Sequence, residues 1–150
     1  MSAPSKTVEL STEAALYQEI QHFYARQMRL LDESRVQEWA DTFTEDGVFA
    51  ANAHPAPQSG RAEIVEGARR ASQLLADQKV QRRHWLGMLE VREAEEGTLT
   101  AHTYALVINT PQGGRPTVEF STSCDDVLTR ENGTLQVRSR QVYRDDLPRG

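Results

Sequence analysis

A chain of 150 residues is long enough for one domain with a real core and too short for two. With 38% hydrophobic and 26% charged residues, and no apolar run near the ~18 residues of a membrane span, it reads as a soluble globular protein. A net charge of −5 argues against a general nucleic-acid binder, and the single cysteine, Cys124, excludes an internal disulfide and suits a reducing cytoplasm.

The first ten residues, MSAPSKTVEL, hold no apolar signal core, which argues against secretion. Ser11 and Thr12 offer an N-cap hydroxyl to the helix EAALYQEIQHFYARQMRLLDE, in which Leu16, Ile20, Phe23, Tyr24, Gln27, Leu30 and Leu31 recur at helical spacing. SRVQEWADTF predicts a shorter helix with Val36, Trp39, Ala40 and Phe43 on one side. TEDG reads as a turn and VFAAN as a short strand. AHPAPQSG reads as a loop that joins no ladder and whose His54 can lie over a pocket. RAEIVEGARRASQLLADQ predicts a third helix.

The hydrophobic period then becomes two. Strands are expected over 80–91, 98–109, 116–129 and 134–144, joined by EAEEG, TPQGGR and ENG. Asn132-Gly133 favours a two-residue primed turn, which sets Glu131 opposite Thr134. Counting back without interruption sets Asp125 opposite Arg140 and Cys124 opposite Gln141. Acids are interleaved with Arg82, Arg83, Arg130, Arg138, Arg140, Arg144 and Arg149, so these arginines read as a solvated charged face. Helices followed by a meander give an α+β domain, a curved antiparallel sheet with three helices packed on one side. Such a sheet encloses a pocket on its concave face. By alternation Trp85, Leu89 and Val91 oppose His84, Leu86 and Met88, so the strand QRRHWLGMLEV is apolar on both sides. A second copy of the chain is the simplest cover for the outer side, and a homodimer through the sheet is expected.

The runs LLDESRVQEWADTFTEDGVFAAN, SGRAEIVEGARR, RRHWLGMLEV and CDDVLTRENGTLQVRSRQVYRDDLP resemble the nuclear transport factor 2-like superfamily. Within it they are most similar to the SnoaL-like proteins of polyketide and related pathways. The resemblance covers residues 10–147 and leaves residues 1–9 as an expected disordered tail. It implies a cone-shaped fold. It leaves the chemistry open among aldol-type cyclases, dehydratases, ketosteroid isomerases, dioxygenase β-subunits and binding modules.

His84 matches the strand histidine that related dehydratases use as a general acid or base. Tyr24 resembles the helix tyrosine of scytalone dehydratases and would donate to a carbonyl or enolate oxygen. The oxyanion tyrosine and the base of ketosteroid isomerases fall at Gln27 and near Ala51, so that mechanism is not implied. Asp32, at the end of the first helix, can orient His84 or cap the helix around Ser34. Trp39, Phe43, Phe49, Leu86, Met88 and Phe120 are candidates for apolar walls, and Arg140 for an anchor of an acidic or quinone-like ligand. His102 and Tyr104 join His84 in the pocket only if the EAEEG turn has the right length, because one slip flips every side chain. The 4 histidines show no metal-site spacing, and Cys124 reads as a buried small residue. The expectation is a cytoplasmic, cofactor-free enzyme that cyclises, dehydrates or isomerises a polyketide-like small molecule. A non-catalytic carrier and a structural subunit are the alternatives.

Overall fold

A computed structural model of the protein describes residues 12–95 and 97–150. The expected tail and the Ser11 cap lie outside these residues. The element order is α1 (Thr12–Asp32), α2 (Val36–Ala40), β1 (Phe43–Ala51), β2 (Gln58–Ser59), α3 (Arg61–Asp77), β3 (Val80–Glu93), β4 (Thr98–Pro111), β5 (Thr117–Glu131) and β6 (Thr134–Arg144). The strands form one sheet in the order β2-β1-β6-β5-β4-β3. Three elements differ from the sequence reading. Phe43 opens a strand instead of closing a helix, and TEDG lies inside that strand as a register irregularity. Gln58 and Ser59 pair with Phe49 and Val48, so the proline-rich loop does join the ladder at its end. β1 runs parallel to β6, which makes the sheet mixed.

The periodic face of α1 buries Ile20, Tyr24, Gln27, Met28 and Leu30, and the core continues through Trp39, Phe43, Ile64, Leu128 and Val137. Trp39 packs edge-on against Phe43 and Phe49, which are tilted to each other, with centroids 5.1–6.4 Å apart. The Asn132-Gly133 turn is as expected, with both residues at positive φ and Glu131 paired to Thr134.

Two bulges decide which side chains face inward. In β6 the register shifts at Arg138, so Val127 faces Ser139 and Asp126, not Asp125, faces Arg140. Cys124 correspondingly faces Val142 and not Gln141. Burial changes parity there, from Leu135 and Val137 to Arg140. In β3 a bulge between Gly87 and Glu90 holds Met88 at φ 52°. His84 and Leu86 therefore face inward, as do Leu89 and Val91 beyond the bulge, while Met88 is turned out and 78% exposed. The uninterrupted alternation expected along this strand is thus corrected.

The outer face carries Trp85, Met88, Tyr104, Leu106 and Val118, all exposed. His102 and Tyr104 belong to it. In β4 Ala101, Thr103, Ala105 and Val107 are buried, so the even-numbered residues between them point away from the helices. His102 pairs there with its cross-strand neighbour Asp125, Nδ1 to Oδ1 2.8 Å.

Candidate active site

A cavity of about 700 Å³ lies between the concave face of the sheet and the helices. Its wall includes Asp32, Trp39, Phe49, His84, Leu86 and Arg140, six of the residues singled out in the sequence. His54, in the proline-rich loop, also borders it.

Strand parity turns His84 inward, and the C-terminus of α1 brings Asp32 to it across 52 residues of sequence. Asp32 Oδ2 accepts the His84 backbone N–H at 3.0 Å, and Oδ1 lies 2.6 Å from His84 Nδ1. The carboxylate is thus gripped at both oxygens, and α2 has no side-chain cap. Of the two roles expected for Asp32, orienting His84 is the one its contacts match. A carboxylate oxygen accepting from Nδ1–H leaves the Nε2 lone pair of a neutral ring free. Nε2 has no partner among the described residues.

Behind the opposite wall lies a buried polar network. Arg140 Nε and Nη2 donate to Asp126 Oδ1 and Oδ2 at 2.9 and 2.8 Å, and Nη2 also donates to Gln27 Oε1 at 2.7 Å. Tyr24 Oη donates to Asp126 Oδ2 at 2.5 Å. Gln27 Nε2 donates to Thr42 Oγ1, which itself donates to the Trp39 carbonyl. Burial above all, then the charge of Asp126, raises the Tyr24 pKa well above its ordinary value, so the phenol keeps its proton. Burial works to lower the Arg140 pKa, but the charge and hydrogen bonds of Asp126 outweigh it, and the net shift is upward. Arg140 borders the cavity, and its Nη1 has no partner among the described residues.

The SnoaL-like domain family matches residues 12–141. The chain belongs to that family. Among solved structures, ActVI-ORFA from Streptomyces coelicolor is 34% identical, covering 89% of this chain and 98% of that one with a TM-score of 0.83. Aln2 from another Streptomyces strain is 36% identical, covering 92% and 96% with a TM-score of 0.83. A protein from Catenulispora acidiphila, solved in complex with S-DNPA, is 41% identical, covering 89% and 96% with a TM-score of 0.78. No curated protein matches the sequence. The six-stranded curved sheet with its N-terminal helices is the nuclear transport factor 2-like fold.

Several expected site residues of this SnoaL-like chain lie elsewhere. Tyr24 does not border the cavity; it is buried in the core with its hydroxyl bonded to Asp126. Phe43 is wholly buried in the core, and Met88, His102 and Tyr104 are on the outer face. Phe120 is also outside the wall, its ring lying under the guanidinium groups of Arg82 and Arg144 at 5.6 and 4.3 Å. Cys124 borders the cavity, but burial pushes its thiol up, which does not suit a nucleophile.

The sequence reading missed Asp126 and Arg82. Asp126 shares strand parity with the buried Cys124 and Leu128, a signal that separates it from Asp125. Arg82 and Arg140 both leave the solvated face assigned to them and enter the wall, Arg82 by its parity with His84. Among the described residues, no group of three His, Cys, Asp or Glu side chains is placed to hold a metal ion, and no helix is long and apolar enough to cross a membrane.

Proposed function

We propose that the chain is a cofactor-free enzyme that moves protons on a polyketide-like small molecule and thereby cyclises, dehydrates or isomerises it. The carrying observation is the His84–Asp32 pair, with its free Nε2 on an otherwise largely apolar cavity. His84 Nε2 takes a proton from the carbon beside a substrate carbonyl, and the electron pair moves onto the carbonyl oxygen. Arg140 Nη1–H donates to that oxygen, in the role expected of Tyr24. Tyr24 and Gln27 act as positioning residues, through Asp126 and directly. The imidazolium then returns the proton. Delivery to another carbon is isomerisation, and delivery to a departing hydroxyl expels water. Delivery to the alkoxide formed when the enolate carbon attacks a second carbonyl is ring closure.

Family membership and the S-DNPA complex of the Catenulispora protein support a small-molecule substrate. Its polyketide character rests on the resemblance to SnoaL-like proteins. The exposed apolar outer face supports a homodimer through the sheet, and the buried single cysteine suits the cytoplasm.

The test is mass spectrometry of the protein in D₂O with a panel of aromatic and reduced polyketide intermediates, beside His84→Ala. Deuterium gain, loss of water or a retention shift at constant mass is expected, slowed by ~10²–10⁴-fold in the variant. Binding with every ligand recovered unchanged would replace this reading with a carrier.

A further inference from the structure

We propose that Arg82 is the receptor for a carboxylate on the substrate, fixing an organic acid with its reacting carbon at His84. The inference deepens the proton-transfer reading, but it rests on contacts of its own and is tested by binding, not by turnover.

Arg82 and His84 are two residues apart on the inward face of β3, so their Cα atoms are about 7 Å apart. Asn109, directly across the β3–β4 ladder, accepts the Arg82 Nε–H at 2.9 Å, and the Phe120 ring lies 5.6 Å from the guanidinium carbon. The head group is therefore held at its Nε edge and along one face. Its two Nη groups have no hydrogen-bond partner, and Arg82 is in no ion pair among the described residues. The group is half-buried, and that burial weakens its hold on the proton although Glu119 and Asp32 lie near enough to oppose the shift. An oriented guanidinium with both Nη groups free matches the two oxygens of a planar carboxylate.

The charge distribution points the same way. The described wall holds three arginines, Arg70, Arg82 and Arg140, and a single carboxylate, Asp32. Asp32 is hydrogen-bonded to His84, and Arg140 is neutralised by Asp126. Arg70, like Arg82, is in no ion pair among the described residues. With Arg140 offset by Asp126, the remaining wall charges are Arg70 and Arg82 against Asp32 alone, an excess of positive charge in a chain whose net charge is −5. Low-dielectric walls around such a site concentrate anions, and the apolar remainder of the wall selects an acid with a hydrophobic body.

The experiment is titration calorimetry of the full chain with 2-naphthylacetate and its neutral methyl ester. The acid is expected to bind about 10- to 100-fold more tightly than the ester, the range of a hydrogen bond to a charged group. Arg82→Met removes the preference. Asn109→Asp also lowers it, by setting an internal carboxylate on Arg82 without reshaping the cavity, and this variant decides the matter if Arg82→Met does not fold. His84→Ala keeps the preference. Equal affinity for acid and ester, no measurable binding of the acid, or a preference unchanged in Arg82→Met or Asn109→Asp overturns the proposal. A preference that depends on Arg82, together with turnover unaffected by His84→Ala, would sink the proton-transfer reading alone.

Discussion

Replacing Asp126 by alanine tests the buried network and the strand register together. The carboxylate is 3% exposed and accepts from Arg140 Nε, Arg140 Nη2 and Tyr24 Oη. Asp126→Ala strands the Arg140 guanidinium in a buried site, where removing one partner of a charge pair costs about 3–5 kcal/mol. Whole-domain stabilities are about 5–15 kcal/mol, so the variant stays folded at 25 °C only if the parent is well above the lower limit. At ~2–4 °C per kcal/mol for a chain of this size, the melting temperature falls by about 6–20 °C. Asp125→Ala, one residue away, removes only the exposed contact to His102 and changes stability by less than about 1 kcal/mol. In a cycle with Arg140→Ala, the two substitutions are non-additive by about 2–3 kcal/mol, because the second removes the charge that the first stranded. Urea unfolding followed by circular dichroism measures the parent, the three single variants and the double variant. Equal costs for Asp125→Ala and Asp126→Ala, or strict additivity with Arg140→Ala, would refute the bulged register and the network built on it.

Tyr24 supplies a pH dependence of definite sign. Its pKa is raised in the folded state, so its contribution is fully present below the ordinary value of 10.0 and is lost as pH rises from there toward the folded value. Tyr24→Phe therefore shows a shallower loss of stability above pH 10.0, and a slope identical to the parent's would contradict the assignment. Asp32→Asn is expected to place its amide oxygen on the His84 backbone N–H and its NH₂ on Nδ1, which forces the ring proton onto Nε2. Turnover then falls by up to ~10²–10⁴-fold with near-normal binding, and nitrogen NMR of the His84 ring shows the exchanged tautomer. Trp85→Asp, placed on the exposed apolar face, converts the expected dimer to a monomer in sedimentation velocity, whereas a monomeric parent would remove the basis for that interface.

The parts of this structure legible in sequence are those set by short-range rules. Helical spacing in α1, the Asn132-Gly133 turn and the inward parity of His84 follow from periodicity and turn chemistry. Where structure and sequence pattern part, the cause is largely one-residue insertions. Neither Arg138 nor Met88 carries a glycine's backbone signal, yet each adds a residue to its strand and reverses the parity of everything beyond it. That reversal exchanges Asp125 for Asp126 as the partner of Arg140, and it turns Met88 out. The parity of β4 sets His102 and Tyr104 beside Met88, which the length of the preceding turn left open. Tyr24 departs from its expected place for a different reason. Helical periodicity turns it toward the core, but only the tertiary fold shows that a carboxylate on β5 meets its hydroxyl before a ligand can.

The three polar side chains assigned to the substrate share one design. Each borders the cavity and is held by a partner that leaves at least one of its nitrogens without a hydrogen bond among the described residues: His84 by Asp32, Arg140 by Asp126 and Gln27, Arg82 by Asn109. The partners differ in charge, and that difference sorts the roles. Asp126 neutralises Arg140, so Nη1 is a directed donor with little net charge behind it. It suits an oxygen that becomes negative only during the reaction. Asn109 is neutral, so Arg82 keeps its full charge and suits a group that is already anionic in the free substrate. An acid held at Arg82 would neutralise that charge on binding. The enolate would then develop against Arg140 with the Arg82 charge already offset, which confines Arg140's stabilisation to the step where it accelerates proton transfer.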